Sequence, residues 1–228
     1  MKKRNVFCHE WKAFLLLYNG DMKYVIFDFN GTVLDDIDVC LKAENYTIEK
    51  YIPGRKPLTM DEYLHVFTFP VEKYYDSLGF DWSKYTYHEV GDYWFSWYRK
   101  LRDEYRVFDG IKEFVEDNRK RGLKNILLSA SSLKELKIQL EELNIEDYFD
   151  EVLGIDNIYA ASKTEIGIEW IKDKDPKECI MIGDTLHDLE TAKAMGVDCV
   201  LVASGHQAKD VLLEKWDKVY DNIKEVKI

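Results

Sequence analysis

The stretch YVIFDFNGTVLDD, residues 24–36, is an apolar run that passes directly into polar and turn-forming residues. Its first four residues, Tyr24 to Phe27, are aromatic and β-branched without alternation, which predicts a fully buried central strand. Asp28 follows this strand, where an ionised carboxylate is costly unless it is paired or bound to a metal. Asn30-Gly31 predicts a turn whose backbone can approach an anion closely. A strand followed by an ordinary polar turn is the alternative for this segment taken alone.

A second apolar run, Cys179 to Gly183, also ends in an acidic residue, Asp184, and Asp188 follows four residues later. If Asp188 opens a helix that ends near Gly196, both carboxylates lie at the carboxyl edge of a parallel sheet, where open α/β folds bind ligands. Together with Asp28 they form a set of three carboxylates in one crevice. Such a set predicts Mg²⁺, a hard cation that prefers oxygen ligands.

Two further polar residues lie between the acidic segments. Ser129 follows the apolar run from Asn125 to Leu128, and Lys163 begins the segment KTEIGIEW. Taken singly, Ser129 could be a helix N-cap and Lys163 an exposed lysine. A hydroxyl, an ammonium group and a metal, each brought from a strand end or a nearby loop, are together typical of a phosphate site.

In these residues the chain resembles the haloacid dehalogenase-like hydrolases, most of which are phosphatases, and within them the phosphoglycolate phosphatase-like branch. The resemblance covers roughly Met22 to the C-terminus. The motifs of the family are an Asp-x-Asp-Gly-Thr run, a Ser or Thr after a strand, a Lys and an acidic pair. The chain offers them in that order as Asp28-Phe29-Asn30-Gly31-Thr32, Ser129, Lys163, and Gly183-Asp184 with Asp188.

The resemblance implies a role for each matched residue. Asp28 would be the nucleophile that attacks phosphorus and becomes an aspartyl phosphate. Mg²⁺ would be held by Asp28, Asp184, the backbone carbonyl of Asn30 and, directly or through water, Asp188. The implied phosphate ligands are the Ser129 hydroxyl, the Ala130 amide and the Lys163 ammonium, and Thr32 would brace the loop.

Asn30 departs from the family pattern. Phosphatases of the family usually carry a second Asp here, which donates a proton to the leaving group and then activates water. An amide has no proton to exchange near neutral pH, so acid–base help worth roughly 10²–10⁴-fold is missing. Three hypotheses follow: a slow phosphatase or one for good leaving groups, a long-lived aspartyl phosphate that favours phosphotransfer, or proton supply by another group such as His187. A weakly active regulatory protein that binds phosphate ligands is a further alternative.

The resemblance and the pattern of elements predict an α/β fold, a Rossmann-like parallel sheet core with an inserted helical cap. Residues 1–21 are interpreted as an N-terminal extension, residues 22–36 and 107–228 as the core, and residues 37–106 as the cap. The four helices predicted in the cap are Asp38–Tyr51, Thr59–Phe67, Val71–Leu78 and His88–Arg106. Strands at 125–129, 151–154, 179–183 and 199–202 alternate with helices at 110–121, 132–143, 163–172 and 188–195.

The predicted cap is rich in aromatic residues. Core packing is the usual role of such a face, and a stacking wall for a substrate ring is the functional alternative. The residues concerned are Tyr74, Tyr75, Trp82, Tyr85, Tyr87, Tyr93, Trp94, Trp97 and Tyr98.

Composition fits a cytoplasmic enzyme. The 228 residues are 46% hydrophobic, enough for a substantial core, and the net charge of −11 argues against nucleic acid or an anionic membrane as a partner. The four cysteines form no CxxC pair, which indicates a reducing compartment without structural zinc. The apolar run in residues 1–21 is too short for a signal peptide or a membrane helix. The expected partner is a small phosphorylated metabolite, and the oligomeric state is open.

Overall fold

The computed structural model describes residues 22–155 and 162–228, so the predicted extension at residues 1–21 lies outside the described residues. Its main sheet has six parallel strands in the order β5-β4-β1-β6-β7-β8, and β2 and β3 form a separate antiparallel pair. The strands are β1 Tyr24–Phe27, β2 Leu34–Asp35, β3 Arg106–Val107, β4 Lys124–Ser132, β5 Glu151–Ile155, β6 Cys179–Gly183, β7 Asp198–Val202 and β8 Val219–Tyr220.

The α-helices of the described residues separate these strands. They are α1 Ile37–Tyr51, α2 Met60–Val66, α3 Val71–Leu78, α4 Tyr87–Lys100, α5 Ile111–Lys120, α6 Leu133–Leu143, α7 Lys163–Ile171, α8 Leu186–Met195 and α9 Lys209–Leu213. Strand and helix alternate after β3, and the strands of the main sheet run parallel, so the predicted α/β class is confirmed. None of the helices in the described residues combines the length and the apolarity needed to cross a membrane.

Strand β1 lies inside the sheet because both of its edges and both of its faces are covered. It pairs in parallel with β4 on one side and β6 on the other. Val25 and Phe27 belong to one hydrophobic cluster and Ile26 to a second, as the alternation of side chains along a strand requires. All three side chains are fully buried. The apolar run without alternation is therefore explained by burial on two faces.

Helices α1 to α4 form an insertion between β2 and β3. The two strands pair antiparallel, with Leu34 opposite Val107 and Asp35 opposite Arg106, so the chain leaves and returns side by side. These strands lie where the predicted cap begins and ends. The division of the chain into a core and a cap stays a prediction.

The last helix of the insertion ends earlier than predicted. Helix α4 stops at Lys100 rather than Arg106, a short 3₁₀ turn covers Arg102–Glu104, and the chain then becomes β3. Pairing with β2 imposes extended backbone on a segment whose composition alone favours helix, so tertiary structure overrides local propensity. Helix α2 begins with a capping box, in which Thr59 and Glu62 each accept a hydrogen bond from the other's backbone N–H.

Candidate functional site

The predicted site residues converge at the carboxyl edge of three neighbouring strands. Asp28 follows β1, Ser129 lies near the end of β4 and Asp184 follows β6, and these strands are adjacent in the sheet. The backbone N–H of Asp28 donates to the Ile182 carbonyl at 2.9 Å, which fixes the nucleophile candidate beside β6. Lys163 begins α7 at the same edge.

Asp188 is the third acidic residue at this edge. It lies inside α8 rather than opening it, because the helix begins at Leu186. One of its carboxylate oxygens accepts hydrogen bonds from the Thr185 N–H at 2.9 Å, the Thr185 hydroxyl at 2.7 Å and the Asp184 N–H at 3.2 Å. The prediction that Asp188 opens the helix is wrong by two residues. Thr185 is the N-cap residue, and Asp188 lies in the first turn, where its carboxylate accepts from the Thr185 N–H.

The Lys163 ammonium lies between two of the carboxylates. It donates to Asp28 Oδ1 and to Asp188 Oδ1, and its side chain is 3% exposed. Burial lowers the pKa of Lys163, but the carboxylates of Asp188 and Asp28 raise it by more. The net pKa lies above the usual value, so the group is charged. A buried ammonium that touches the nucleophile candidate is available to neutralise an incoming phosphate.

The three carboxylates of this edge differ in proton affinity. Burial raises the pKa of Asp28 well above its usual value, and Lys163 opposes that increase. Burial also raises the pKa of Asp184 to about 6. For Asp188, burial is outweighed by Lys163 and Thr185, so its pKa is lowered. The crowded carboxylates therefore favour additional positive charge in the crevice.

The donor set fits a hard divalent cation. Asp28, Asp184 and Asp188 each offer a carboxylate oxygen, and these atoms lie within 4.8 Å of one another. Oxygen ligands in such a group suit Mg²⁺, and a cation would offset the burial and the carboxylate repulsion that raise the pKa values of Asp28 and Asp184. Thr32 and the backbone of His206 hold Asp184 in place, through bonds of 2.9 Å to Oδ1 and 2.7 Å to Oδ2.

Two glycines allow the close approach of these loops. Gly31 has φ +75°, and a Cβ at this position would lie 2.2 Å from Asp184 Oδ2. A Cβ at Gly205 would also lie 2.2 Å from the Asp184 side chain. Any larger residue would displace Asp184, so glycine is required on both sides of this carboxylate.

The predicted phosphate ligands lie next to the carboxylates. The Ser129 side chain is buried, and its oxygen accepts a hydrogen bond from the Ser131 N–H at 3.1 Å. Ala130 is exposed and lines the same cavity as Asp28 and Lys163. The pairing of β4 with β5 shifts in register between Leu128 and Ser132, so the end of β4 departs from regular pairing where these residues lie.

The Asn30 side chain has a defined orientation. Its amide nitrogen donates to Asp36 Oδ2 at 2.7 Å and to the Tyr98 hydroxyl at 3.1 Å, while its oxygen accepts from the Ser131 hydroxyl at 3.3 Å. Only an amide offers two donors and an acceptor in this position, because a carboxylate accepts but does not donate. The Asn30 amide therefore supplies the donor that the Asp36 carboxylate needs, which a carboxylate at position 30 would not.

Asp36 is the centre of a buried network that the sequence alone does not predict. Besides Asn30, it accepts from the Tyr98 hydroxyl at 2.7 Å and the Gly31 N–H at 3.2 Å, and His206 Nε2 lies 3.3 Å from its Oδ1. The other ring nitrogen of His206 is 3.0 Å from the Tyr63 hydroxyl. Burial lowers and Asp36 raises the pKa of His206, with a net result of about 9, and the same contacts lower the pKa of Asp36. The pair is ionised near neutral pH.

A cavity of about 540 Å³ connects this edge of the sheet with the helical insertion. Its floor includes Asp28, Ser129 and Lys163, and its walls include Tyr74 and Trp94 of the insertion. His187, the alternative proton donor, also lines the cavity and stacks on Phe69, with ring centroids 4.7 Å apart. That role for His187 stays a prediction.

Glu44 of α1 lines the cavity and is 2% exposed. Burial raises its pKa to about 8, and Arg55 partly opposes the increase.

A folded-state pKa of Glu44 above the unfolded value stabilises the fold at low pH, and this contribution is lost as the pH rises from about 4.5 to about 8. The free energy of unfolding of the wild type minus that of Glu44→Gln should therefore decrease across this pH range, by up to about 1.4 kcal/mol per pH unit. Urea unfolding of both proteins at several pH values measures this. A constant difference between them would contradict the prediction.

The sequence matches a known protein family over most of its length. The model of the family described as haloacid dehalogenase-like hydrolase covers residues 25–202. The chain belongs to this family. Membership confirms the resemblance carried by the four motifs and the prediction that the chain is an enzyme. The matched region of this haloacid dehalogenase-like hydrolase includes every residue predicted for the site.

Individual relatives of this hydrolase are distant. It is 26% identical to a phosphoglycolate phosphatase of Vibrio vulnificus, over 77% of this chain and 81% of that protein. It is 24% identical to a pyrophosphatase of Listeria monocytogenes, over 86% of this chain and 94% of that protein. A haloacid dehalogenase-like hydrolase of Streptococcus pneumoniae has the same fold, with a TM-score of 0.74 at 19% identity and coverage of 89% and 95%.

Proposed function

We propose that the protein is a Mg²⁺-dependent phosphatase that hydrolyses a small phosphorylated metabolite through an aspartyl phosphate on Asp28. The observation that carries the proposal is the contact of the buried Lys163 ammonium with Asp28 at the edge where Asp184 and Asp188 also lie. Family membership and the two curated phosphatase relatives support the same reaction class.

The reaction has two steps. In the first, an oxygen of Asp28 forms a bond to phosphorus, the ester P–O bond breaks, and the alcohol departs with a proton from solvent. In the second, water attacks the phosphorus, releases the Asp28 carboxylate and gives inorganic phosphate and a proton. Lys163 and Ser129 would hold phosphoryl oxygens in both steps, with the Ala130 N–H as a third ligand.

Asp28, Asp184, Asp188 and the backbone carbonyl of Asn30 would hold Mg²⁺. When bound, the ion neutralises the repulsion between the Asp28 carboxylate and the phosphate. Lys163 contributes to the same neutralisation through its contact with Asp28 Oδ1.

Phosphoglycolate is one candidate substrate, because a curated relative is a phosphoglycolate phosphatase. The acidic net charge of −11 supports a small-molecule partner rather than nucleic acid or an anionic membrane. The three cysteines among the described residues are buried free thiols, which supports a location in the reducing cytoplasm.

A phosphotransferase or a weakly active, phosphate-binding regulatory protein is the second candidate. The observation in its favour is the Asn30 amide, which is fully engaged by Asp36, Tyr98 and Ser131 and has no proton to give. Without an acid beside the leaving group, the aspartyl phosphate could persist long enough for an acceptor alcohol to replace water.

A screen of phosphorylated metabolites with Mg²⁺, and with a chelator as control, separates the candidates. The phosphatase proposal expects inorganic phosphate release that requires Mg²⁺ and the Ser129 hydroxyl. Ser129→Ala should reduce the rate by roughly 10²–10³-fold. Formation of a new phosphate ester on an added acceptor alcohol, with little inorganic phosphate released, would favour the phosphotransferase. Ligand binding without turnover across the panel would favour the regulatory protein.

A further inference from the structure

Helix α1 carries a line of buried polar side chains along the cavity. Asp36 precedes the helix, Cys40 follows one turn later and Glu44 one turn after that, and all three line the cavity. Residues spaced by four share one helix face. Because a helix rises about 1.5 Å per residue, Glu44 lies about 12 Å along α1 from Asp36, which contacts Asn30 in the loop after β1. The cavity thus extends well beyond the space that a phosphoryl group fills.

Two polar atoms at this level of the cavity have no protein partner. Oε1 of Glu44 and the hydroxyl of Tyr74 are buried, and neither has a hydrogen bond within residues 22–155 and 162–228. Each residue is 2% exposed. Buried polar groups are normally paired because an unpaired one loses its hydration without compensation. Two of them beside an open cavity point to a ligand that supplies the missing partners.

The surroundings of Glu44 leave its carboxyl group without a hydrogen-bonded cation among the described residues. Arg55 is the cation that affects it, but the Arg55 guanidinium donates to the Leu78 carbonyl at 2.7 Å. Other titratable groups near it are Cys40, Tyr63, Tyr74 and Tyr75, and all four are neutral because burial raises their pKa values. A cationic group on a ligand would therefore meet no competing ammonium there.

Aromatic rings form the wall around this point. Tyr74 packs against Phe67, with ring centroids 5.3 Å apart, and against Tyr75 at 5.6 Å, and all three residues line the cavity. Aromatic faces next to a carboxyl group attract organic cations. The arginines of the cavity, Arg99 and Arg102, are instead paired with Glu135 and Glu142.

From these contacts we propose that the substrate is an amine-bearing organic phosphate whose amino group binds Glu44 and Tyr74 while its phosphate lies at Asp28. This inference rests on the phosphatase function proposed above and names its substrate class. The amine donates to the Glu44 carboxylate and the Tyr74 hydroxyl, and its carbon chain passes the aromatic wall. Glu44 lies two helical turns beyond Asp36, which contacts the loop that follows Asp28, so the substrate needs several bonds between its phosphate and its amino group, more than glycolate provides.

The test uses three phosphonates of equal chain length, which resist hydrolysis: 6-aminohexyl-, 6-hydroxyhexyl- and heptylphosphonate. Calorimetric titration with Mg²⁺ present should show the amine binding at least about tenfold more tightly than the other two. Glu44→Gln should abolish this preference and Tyr74→Phe should reduce it. Glu116→Gln, an exposed glutamate on α5, is the matched control and should keep it. Equal affinity for the three compounds, or a preference that survives in Glu44→Gln, would overturn the inference.

Turnover of the matching phosphate esters distinguishes this inference from the proposed function. The amine ester should have the lowest KM in the wild type, and Glu44→Gln should raise that KM with little effect on kcat. If the enzyme hydrolyses p-nitrophenyl phosphate in an Asp28-dependent reaction but shows no preference for the amine ester, the inference is rejected and the phosphatase function is retained. Preferred amine binding without any hydrolysis rejects the phosphatase, and the recognition site stands on the binding data.

Discussion

Asn in place of Asp28 is expected to reduce phosphate release by at least about a thousand-fold. An amide oxygen is a far weaker nucleophile than a carboxylate, and the Lys163 contact that orients Asp28 depends on its charge. Steady-state assays with p-nitrophenyl phosphate and excess Mg²⁺ measure the loss. The effect should lie in kcat, because the remaining phosphate ligands Ser129 and Lys163 are unchanged.

The Asp28→Asn protein should be folded and at least as heat-stable as the wild type. Burial and the nearby carboxylates of Asp188 and Asp184 raise the pKa of Asp28, which means that its charge is unfavourable in the folded state. Asp38→Asn, on an exposed carboxylate in the first turn of α1, is the matched control and should leave activity unchanged. An Asp28→Asn protein that keeps more than about a tenth of the activity would exclude Asp28 as the nucleophile.

The second large effect is expected from exchanging Asn30 and Asp36. Asn30→Asp alone would place a carboxylate where the amide nitrogen now lies 2.7 Å from Asp36 Oδ2, so two like charges would meet in a buried site. We expect it to lower the free energy of unfolding by about 1–3 kcal/mol. Asp36→Asn in the same chain restores a donor–acceptor pair, so the double variant should be more stable than Asn30→Asp alone. Urea unfolding of the four proteins gives the coupling energy.

Activity on alkyl phosphates tests the catalytic meaning of the same exchange. With an Asp at position 30 and no opposing carboxylate, the double variant should gain of order 10²-fold on alkyl phosphates, which need a protonated leaving group. Aryl phosphates, whose leaving groups depart unprotonated, serve as the control and should gain little. No gain on alkyl phosphates in a stable double variant would refute the view that Asn30 limits catalysis.

The parts of the fold and site that sequence predicted well are those fixed by local pattern. The apolar run before Asp28 could be interpreted as a central strand because burial on both faces removes alternation. The ends of β6 and α8 carry their own signals, an acidic residue after an apolar strand and Gly196 with φ +74° after the helix. The structure places Asp28, Ser129, Lys163, Asp184 and Asp188 at one sheet edge, where parallel strands must end together.

The network around Asp36 could not be predicted because it forms only in three dimensions. Asp36 was within the stretch of sequence that identified the site, but its partners Tyr98 and His206 lie 62 and 170 residues away. The one local signal was the position of His206 just after β7, at the edge where ligands bind. The short elements α9 and β8 were also missed, since two paired residues of β8 carry too little pattern.

The aromatic residues of the insertion show why composition alone left two roles open. Tyr75 and Tyr74 are buried and pack in the hydrophobic core, as the structural interpretation expects. The same two residues line the cavity, so they also form the wall that the functional alternative describes. Burial and ligand contact are compatible because the cavity lies between the insertion and the sheet.

Attack by Asp28 on phosphorus leaves a phosphoryl group on the enzyme, and this intermediate can be trapped. The enzyme is mixed with Mg²⁺ and p-nitrophenyl phosphate, quenched in acid within the first turnover and digested for mass spectrometry. We expect one added phosphoryl group, located on the peptide that carries Asp28 and absent when Asp28 is replaced by Asn. Rapid phosphate release with no phosphorylated Asp28, or a phosphoryl group on another residue, would contradict it.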